Sequence, residues 1–102
     1  MQGTEPGKTR PVLIVQAHAL IGAGHPSTLI IPLTTNLIEA AEPLRFSIHA
    51  ADRLTRNSDL LIDQIRAIDN RRLVKGPLTR LSPSLMAHVD NCIREVLDLV
   101  DL

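Results

Sequence analysis

Lys8-Thr9-Arg10-Pro11-Val12-Leu13-Ile14-Val15-Gln16 and, further on, Thr28-Leu29-Ile30-Ile31-Pro32-Leu33-Thr34-Thr35-Asn36 decide how this chain is read. The apolar cores of both runs are short and rich in Val and Ile, which suits buried strands better than helices. Pro32 has no N–H to give a ladder, so the second run is expected near a sheet edge or a bulge. Polar residues stand at fixed ends of the runs: Arg10 where the first begins and Thr34 where the second leaves. If the two strands pair, a guanidinium and a hydroxyl can face one cleft.

Outward from these runs, residues 1–9 and 17–27 read as loops, the latter containing Gly22, Gly24, Pro26 and Ser27. Leu44-Arg45-Phe46-Ser47-Ile48-His49 alternates apolar and polar, as a strand with one wet face does. Asp52 to Asn57 is a polar turn. Leu60 to Ile68 reads as one strand, with Leu60, Ile62 and Gln64 on one face and Leu61, Asp63 and Ile65 on the other. Val74 to Thr79 is expected as a short last strand weakened by Gly76-Pro77. A helix follows: Ser82 caps it, Pro83 suits its first turn, and Leu85, Met86, Val89, Ile93, Val96, Leu97 and Val100 form an apolar stripe. Short strands with one terminal helix predict an α+β, mainly β fold, a small bent antiparallel barrel.

The 102 residues fit a single domain over 1–102. An apolar content of 44% and a charged content of 22% are globular values, which excludes general disorder. No apolar stretch approaches the roughly 20 residues of a membrane-spanning helix, and the first residues lack a secretory core, so a cytoplasmic location is expected. The single Cys92 has no disulfide partner and falls on the apolar stripe of the helix, where a small buried hydrophobe is the simplest reading. The histidines match no zinc spacing, so no metal and no cofactor is expected.

Formal charge is zero, which excludes a strongly basic clamp, but it is unevenly spread. Asp90, Glu95, Asp98 and Asp101 crowd the end of the chain, while Arg66, Arg71, Arg72, Lys75 and Arg80 cluster with only Asp69 against them. Such a face can hold a short single strand of nucleic acid or can simply be solvated, and charge alone favours solvation. One Phe, no Trp and no Tyr leave little to stack bases on. Taken singly, Arg10 and Thr34 are ordinary strand-end residues. Taken together they suit phosphodiester chemistry, where arginine supplies a permanent charge and a planar fork, and threonine a hydroxyl.

The order and spacing of Gly3–Gln16, Ile31–Asn36, Asp63–Leu73 and the closing helix from Leu81 to Leu99 resemble the MazF/PemK toxins of bacterial type II toxin–antitoxin systems. That resemblance implies an SH3-like small barrel (MazF/CcdB-like) with a C-terminal α-helix. It implies a sequence-specific, metal-independent endoribonuclease that cuts single-stranded RNA to a 2′,3′-cyclic phosphate and a 5′-hydroxyl. Arg10 and Thr34 fall on the family's catalytic positions. Thr4, Glu5 and Lys8, on the loop bordering the substrate groove, with Gln16, Thr35, Asn36, Asp63 and Gln64, fall on or beside positions near bound RNA. Ala17 stands where these toxins often have Asn. The partners implied are single-stranded RNA, a cognate antitoxin with a disordered C-terminal tail, and a second copy in a homodimer.

Family members usually open with a strand carrying Gly-Asp and aromatic residues. Here Met1 falls almost at the following loop, so the resemblance implies a domain shortened at its N-terminus, with an incomplete sheet edge beside Pro11–Gln16. Two alternatives stay open: a CcdB-like DNA gyrase inhibitor, which needs neither Arg10 nor Thr34, and a toxin that binds antitoxin but no longer cuts.

Overall fold

A computed structural model describes residues 9–99; Thr4, Glu5, Lys8 and Val100 lie outside them. The elements run β1 (Val12–Ile14), α1 (His18–Gly22), β2 (Ser27–Thr34), β3 (Arg45–Ile48), β4 (Ser58–Leu61), β5 (Arg66–Asp69) and α2 (Pro83–Leu97). All strand pairs are antiparallel. The sheet has the order β1-β2-β4-β3, with β5 also pairing β2.

Strand β2 is the centre of the sheet, not an edge. Consecutive side chains of a strand point to opposite faces, and both Ile30 and Ile31 are fully buried, so both faces are covered. Pro32 is tolerated there for a specific reason. Toward β1, the Leu33 N–H donates to the Pro11 carbonyl and the Val15 N–H to the Leu29 carbonyl, so the odd residues of β2 serve that side. The nitrogen of Pro32 therefore faces the opposite side. There Ile30 pairs with Arg66 of β5 and Leu33 with Leu60 of β4, and Pro32 falls at the break between them.

That break corrects the single strand expected from Leu60 to Ile68. A 3₁₀ turn at Ile62–Gln64 splits it. Strict alternation fails because Ile62 is driven into the core while Asp63 and Gln64 both stay exposed. No strand forms over Val74–Thr79. Pro77 lacks a donor, and the segment instead docks on the turn before β4: Arg53 N–H reaches the Leu78 carbonyl at 2.8 Å, and the Thr79 hydroxyl reaches Asp52 at 2.6 Å. The expected loop 17–27 contains the single turn of α1, closed by Gly24 at φ +75°.

The terminal helix forms over Pro83–Leu97, short of the expected Leu99, and Leu85 and Leu97 of the expected stripe are exposed. Ser82 Oγ accepts the Leu85 N–H at 3.2 Å, Pro83 occupies the first turn, and Asp98 ends the helix in the left-handed region at φ 56°. Val89 and Cys92 enter the core beside Ile31, Leu33, Leu60 and Ile62. The sheet is not a closed barrel among the described residues: β1 and β3 end the strand path without pairing with each other. No described helix is long and apolar enough to cross a membrane.

Candidate active site

The β1–β2 register sets Val12 across from Pro32, and the Pro11–Leu33 hydrogen bond carries it one position further. Extended by one more step beyond β1, the same register would set Arg10 across from Thr34, on the face that directly opposed residues share. Arg10 is exposed just ahead of β1, and its guanidinium takes part in none of the ion pairs among the described residues. Thr34 is the half-buried last residue of β2. Its Oγ1 accepts the Asn36 N–H at 3.2 Å, which orients the hydroxyl and keeps its own proton for donation.

What holds that end of β2 in place is a buried group that sequence reasoning missed. Asp59, opposite Thr34 on β4, is fully buried. Its carboxylate accepts the Ile38 N–H at 3.0 Å, Arg45 Nη1 at 3.3 Å and the Ser47 hydroxyl. The same Arg45 nitrogen donates to the Asn36 carbonyl at 2.8 Å. The segment Thr34–Ile38 is thus tied at its turn, its middle and its end. Burial pushes the Asp59 carboxyl up, but the bonds from Ser47, Ile38 and Arg45 and the Arg45 charge outweigh it and hold it below the ordinary carboxylate value. The available signal was polar Arg45 and Ser47 alternating on the expected wet face of β3, with an aspartate leading a run of leucines.

The remaining residues divide by environment. Thr35 and Asn36 are exposed on the turn after β2, and Asp63 and Gln64 are exposed on the 3₁₀ turn that faces Pro32. Gln16 differs: it is only 7% exposed, its Nε2 donates to the Ser27 carbonyl and its Oε1 accepts the Leu29 N–H. Its amide continues the β1–β2 ladder past Val15, so it supports the strand. In the basic segment, Arg66, Arg72, Lys75 and Arg80 are exposed, while Arg71 is spent on Asp69 at 2.9 Å.

A groove of about 760 Å³ runs against β1, lined by Leu33, Leu54, Leu60, Leu81 and Met86 among others. Arg10 lines it and Thr34 does not, so the opposition of those two residues rests on strand register rather than on this cavity. The fold also brings Glu42, His88 and Cys92 together, with ligating atoms all within 4.8 Å of one another. Spacing could not reveal that set, because Glu42 comes from the β2–β3 connection and the other two from α2.

Residues 1–97 match the family described as PemK-like, MazF-like toxin of type II toxin-antitoxin system. A curated relative, Endoribonuclease MazF of Staphylococcus epidermidis, is 38% identical over 95 residues, covering 91% of this chain and 77% of that protein. The Mycobacterium tuberculosis toxin MazF-mt6 superposes with a TM-score of 0.75 at 20% identity, over 90% of this chain and 89% of that one. A mycobacterial endoribonuclease in complex with its cognate antitoxin superposes at 0.73 and 20% identity, over 96% and 90% of the two chains. At such identities the two structures bear on the fold alone, whereas the family match spans nearly the whole sequence. The chain therefore belongs to the PemK-like, MazF-like toxin family of type II toxin–antitoxin systems.

Proposed function

We propose that this protein is a sequence-specific endoribonuclease that cuts single-stranded RNA without a metal ion, leaving a 2′,3′-cyclic phosphate and a 5′-hydroxyl. What supports the reading is the β1–β2 register, which, extended past the Pro11–Leu33 hydrogen bond by one residue, sets Arg10 opposite Thr34. The Arg10 fork takes two oxygens of the scissile phosphate, and the Thr34 hydroxyl donates to a non-bridging oxygen. The 2′-oxygen attacks phosphorus in line, forming one P–O bond as the P–O5′ bond breaks. Its proton passes to solvent and the departing 5′-oxygen takes one up. Neither side chain is an ordinary base near neutral pH, so the rate enhancement comes from charge stabilisation and positioning.

Asp63 and Gln64, with Thr35 and Asn36, present exposed polar groups for base edges, and Arg66 and Arg72 add charge for the backbone. Thr4, Glu5 and Lys8 are assigned RNA contacts on the family resemblance. Gln16 positions the strand that carries Arg10. The Staphylococcus epidermidis relative bears the name endoribonuclease, which supports the activity. The antitoxin complex of the mycobacterial neighbour supports a cognate antitoxin as partner, and the competition of its tail with RNA for the site rests on the family resemblance. A homodimer fits a small domain with leucines and isoleucines on its surface.

The test is incubation of the purified protein with a long single-stranded RNA in excess EDTA, followed by mapping and end analysis of the products. Discrete cuts with 5′-hydroxyl ends are expected. Intact RNA, or cutting that returns only with added magnesium, refutes the proposal.

A further inference from the structure

Helix α2 places His88 and Cys92 one turn apart on the face turned toward the β2–β3 connection. From that connection Glu42 meets His88, with Oε1 and Nε2 2.7 Å apart. Cys92 Sγ completes a triangle whose corners all lie within 4.8 Å. The imidazole is held by more than this one bond: it stacks on Phe46 with centroids 4.3 Å apart and 14° between planes, so its rotation is restrained. One thiol, one imidazole and one carboxylate converging from two elements are the donor set of a borderline-soft cation, not of calcium or magnesium.

We propose that Glu42, His88 and Cys92 form a zinc site that clamps α2 to the β2–β3 connection, with a water in the fourth position. Cys92 binds as the thiolate and releases its proton to solvent, and the His88–Glu42 hydrogen bond gives way as the imidazole presents a lone pair and the carboxylate an oxygen to the cation. The negative charges of Glu42 and Glu95 near the thiol attract a divalent cation to the same place. Access is open, since the side chains of His88 and Glu42 are 47% and 53% exposed while Cys92 forms the floor at 4%. The site lies on other elements than Arg10 and Thr34, and its role is to stabilise the fold rather than to take part in RNA cleavage.

Cobalt(II) is the direct probe. Tag-free, chelator-treated full-length protein titrated with Co²⁺ should develop a thiolate-to-cobalt charge-transfer band in the near ultraviolet and visible bands of tetrahedral intensity, both erased by one equivalent of Zn²⁺. His88→Gln and Glu42→Gln alter half-exposed side chains and should fold, yet each should weaken zinc binding by at least about tenfold, the scale of losing even an outer partner. Zinc should raise the melting temperature of the wild-type chain and not that of His88→Gln. Cys92→Ala should abolish the charge-transfer band. Absence of that band in the wild type, or zinc affinity unchanged in both glutamine variants, overturns the site. RNA cleavage in EDTA is a separate readout, so loss of zinc binding and loss of nuclease activity are distinguishable.

Discussion

Asp59→Asn is the most exacting test of how the candidate site is held. The carboxylate is fully buried, and every partner it has is a donor: the Ile38 N–H, Arg45 Nη1 and the Ser47 hydroxyl. Asparagine keeps the shape but offers one acceptor. Its best orientation leaves the oxygen toward Ile38 and Arg45 and turns the NH₂ toward Ser47, whose hydroxyl can rotate to accept. Replacing charge-assisted hydrogen bonds by neutral ones costs about 1–2 kcal/mol. Removing one member of a buried pair costs about 3–5 kcal/mol. Arg45 keeps 22% side-chain exposure and its bond to the Asn36 carbonyl, so the loss falls between those two figures. The expected loss is about 2–3 kcal/mol, on the order of 10–20 °C in Tm for a domain this size. Urea unfolding at neutral pH measures it. The acid limb supplies an internal control. The Asp59 pKa is depressed in the folded state, so its stabilisation is present above the ordinary carboxylate range and is lost as pH falls through the folded-state pKa. The gap between wild type and variant should therefore narrow in acid. A neutral-pH difference under about 0.5 kcal/mol, the scale of an ordinary surface change, or a gap that stays constant in acid, refutes the reasoning.

Arg10→Ala should lower cleavage by on the order of a hundredfold or more with Tm unchanged, and Arg10→Lys should recover only part, because the charge returns without the fork. Wild-type turnover by folded Arg10→Ala would remove it from the mechanism. Thr34→Val should impair cutting more than Thr35→Val, and Thr34→Ser should recover activity; equal effects at 34 and 35 would mean that the Thr34 hydroxyl has no special role. Gln16→Ala should cost about 1–3 kcal/mol in urea unfolding by stranding the Leu29 N–H and the Ser27 carbonyl, while leaving the choice of cut sites unchanged. Asp63→Ala and Gln64→Ala should do the opposite, shifting the distribution of mapped 5′ ends without moving Tm.

Local signals were enough for the elements whose stability is local. The cap at Ser82, the proline at position 83 and the apolar stripe place α2 because a helix makes its own hydrogen bonds. The Val- and Ile-rich runs place β1 and β2, and the Arg10–Thr34 candidate pair stood at their ends in the sequence. Partner choice was not legible. Pro32 argued for an edge or a bulge when each strand was judged alone, and β2 is central because its two neighbours on one side break opposite that residue. Alternation through Leu60–Ile68 suggested a continuous strand, but burial of Ile62 turns the chain there.

What the amino-acid sequence determined by itself is the class of fold, the helix, the two strands at whose ends the candidate catalytic residues stand, and the family to which their order belongs. Only the tertiary structure decided that Asp59 binds Arg45, Ser47 and Ile38, that Gln16 is spent on the backbone of β2, and that Glu42 meets His88 and Cys92. The physical reason is common to all three. Periodicity records which side of an element leaves water, because that is a property of nearest neighbours along the chain. The partner a buried polar group finds is set by loop closure between residues far apart in sequence, and it must be satisfied once water is gone.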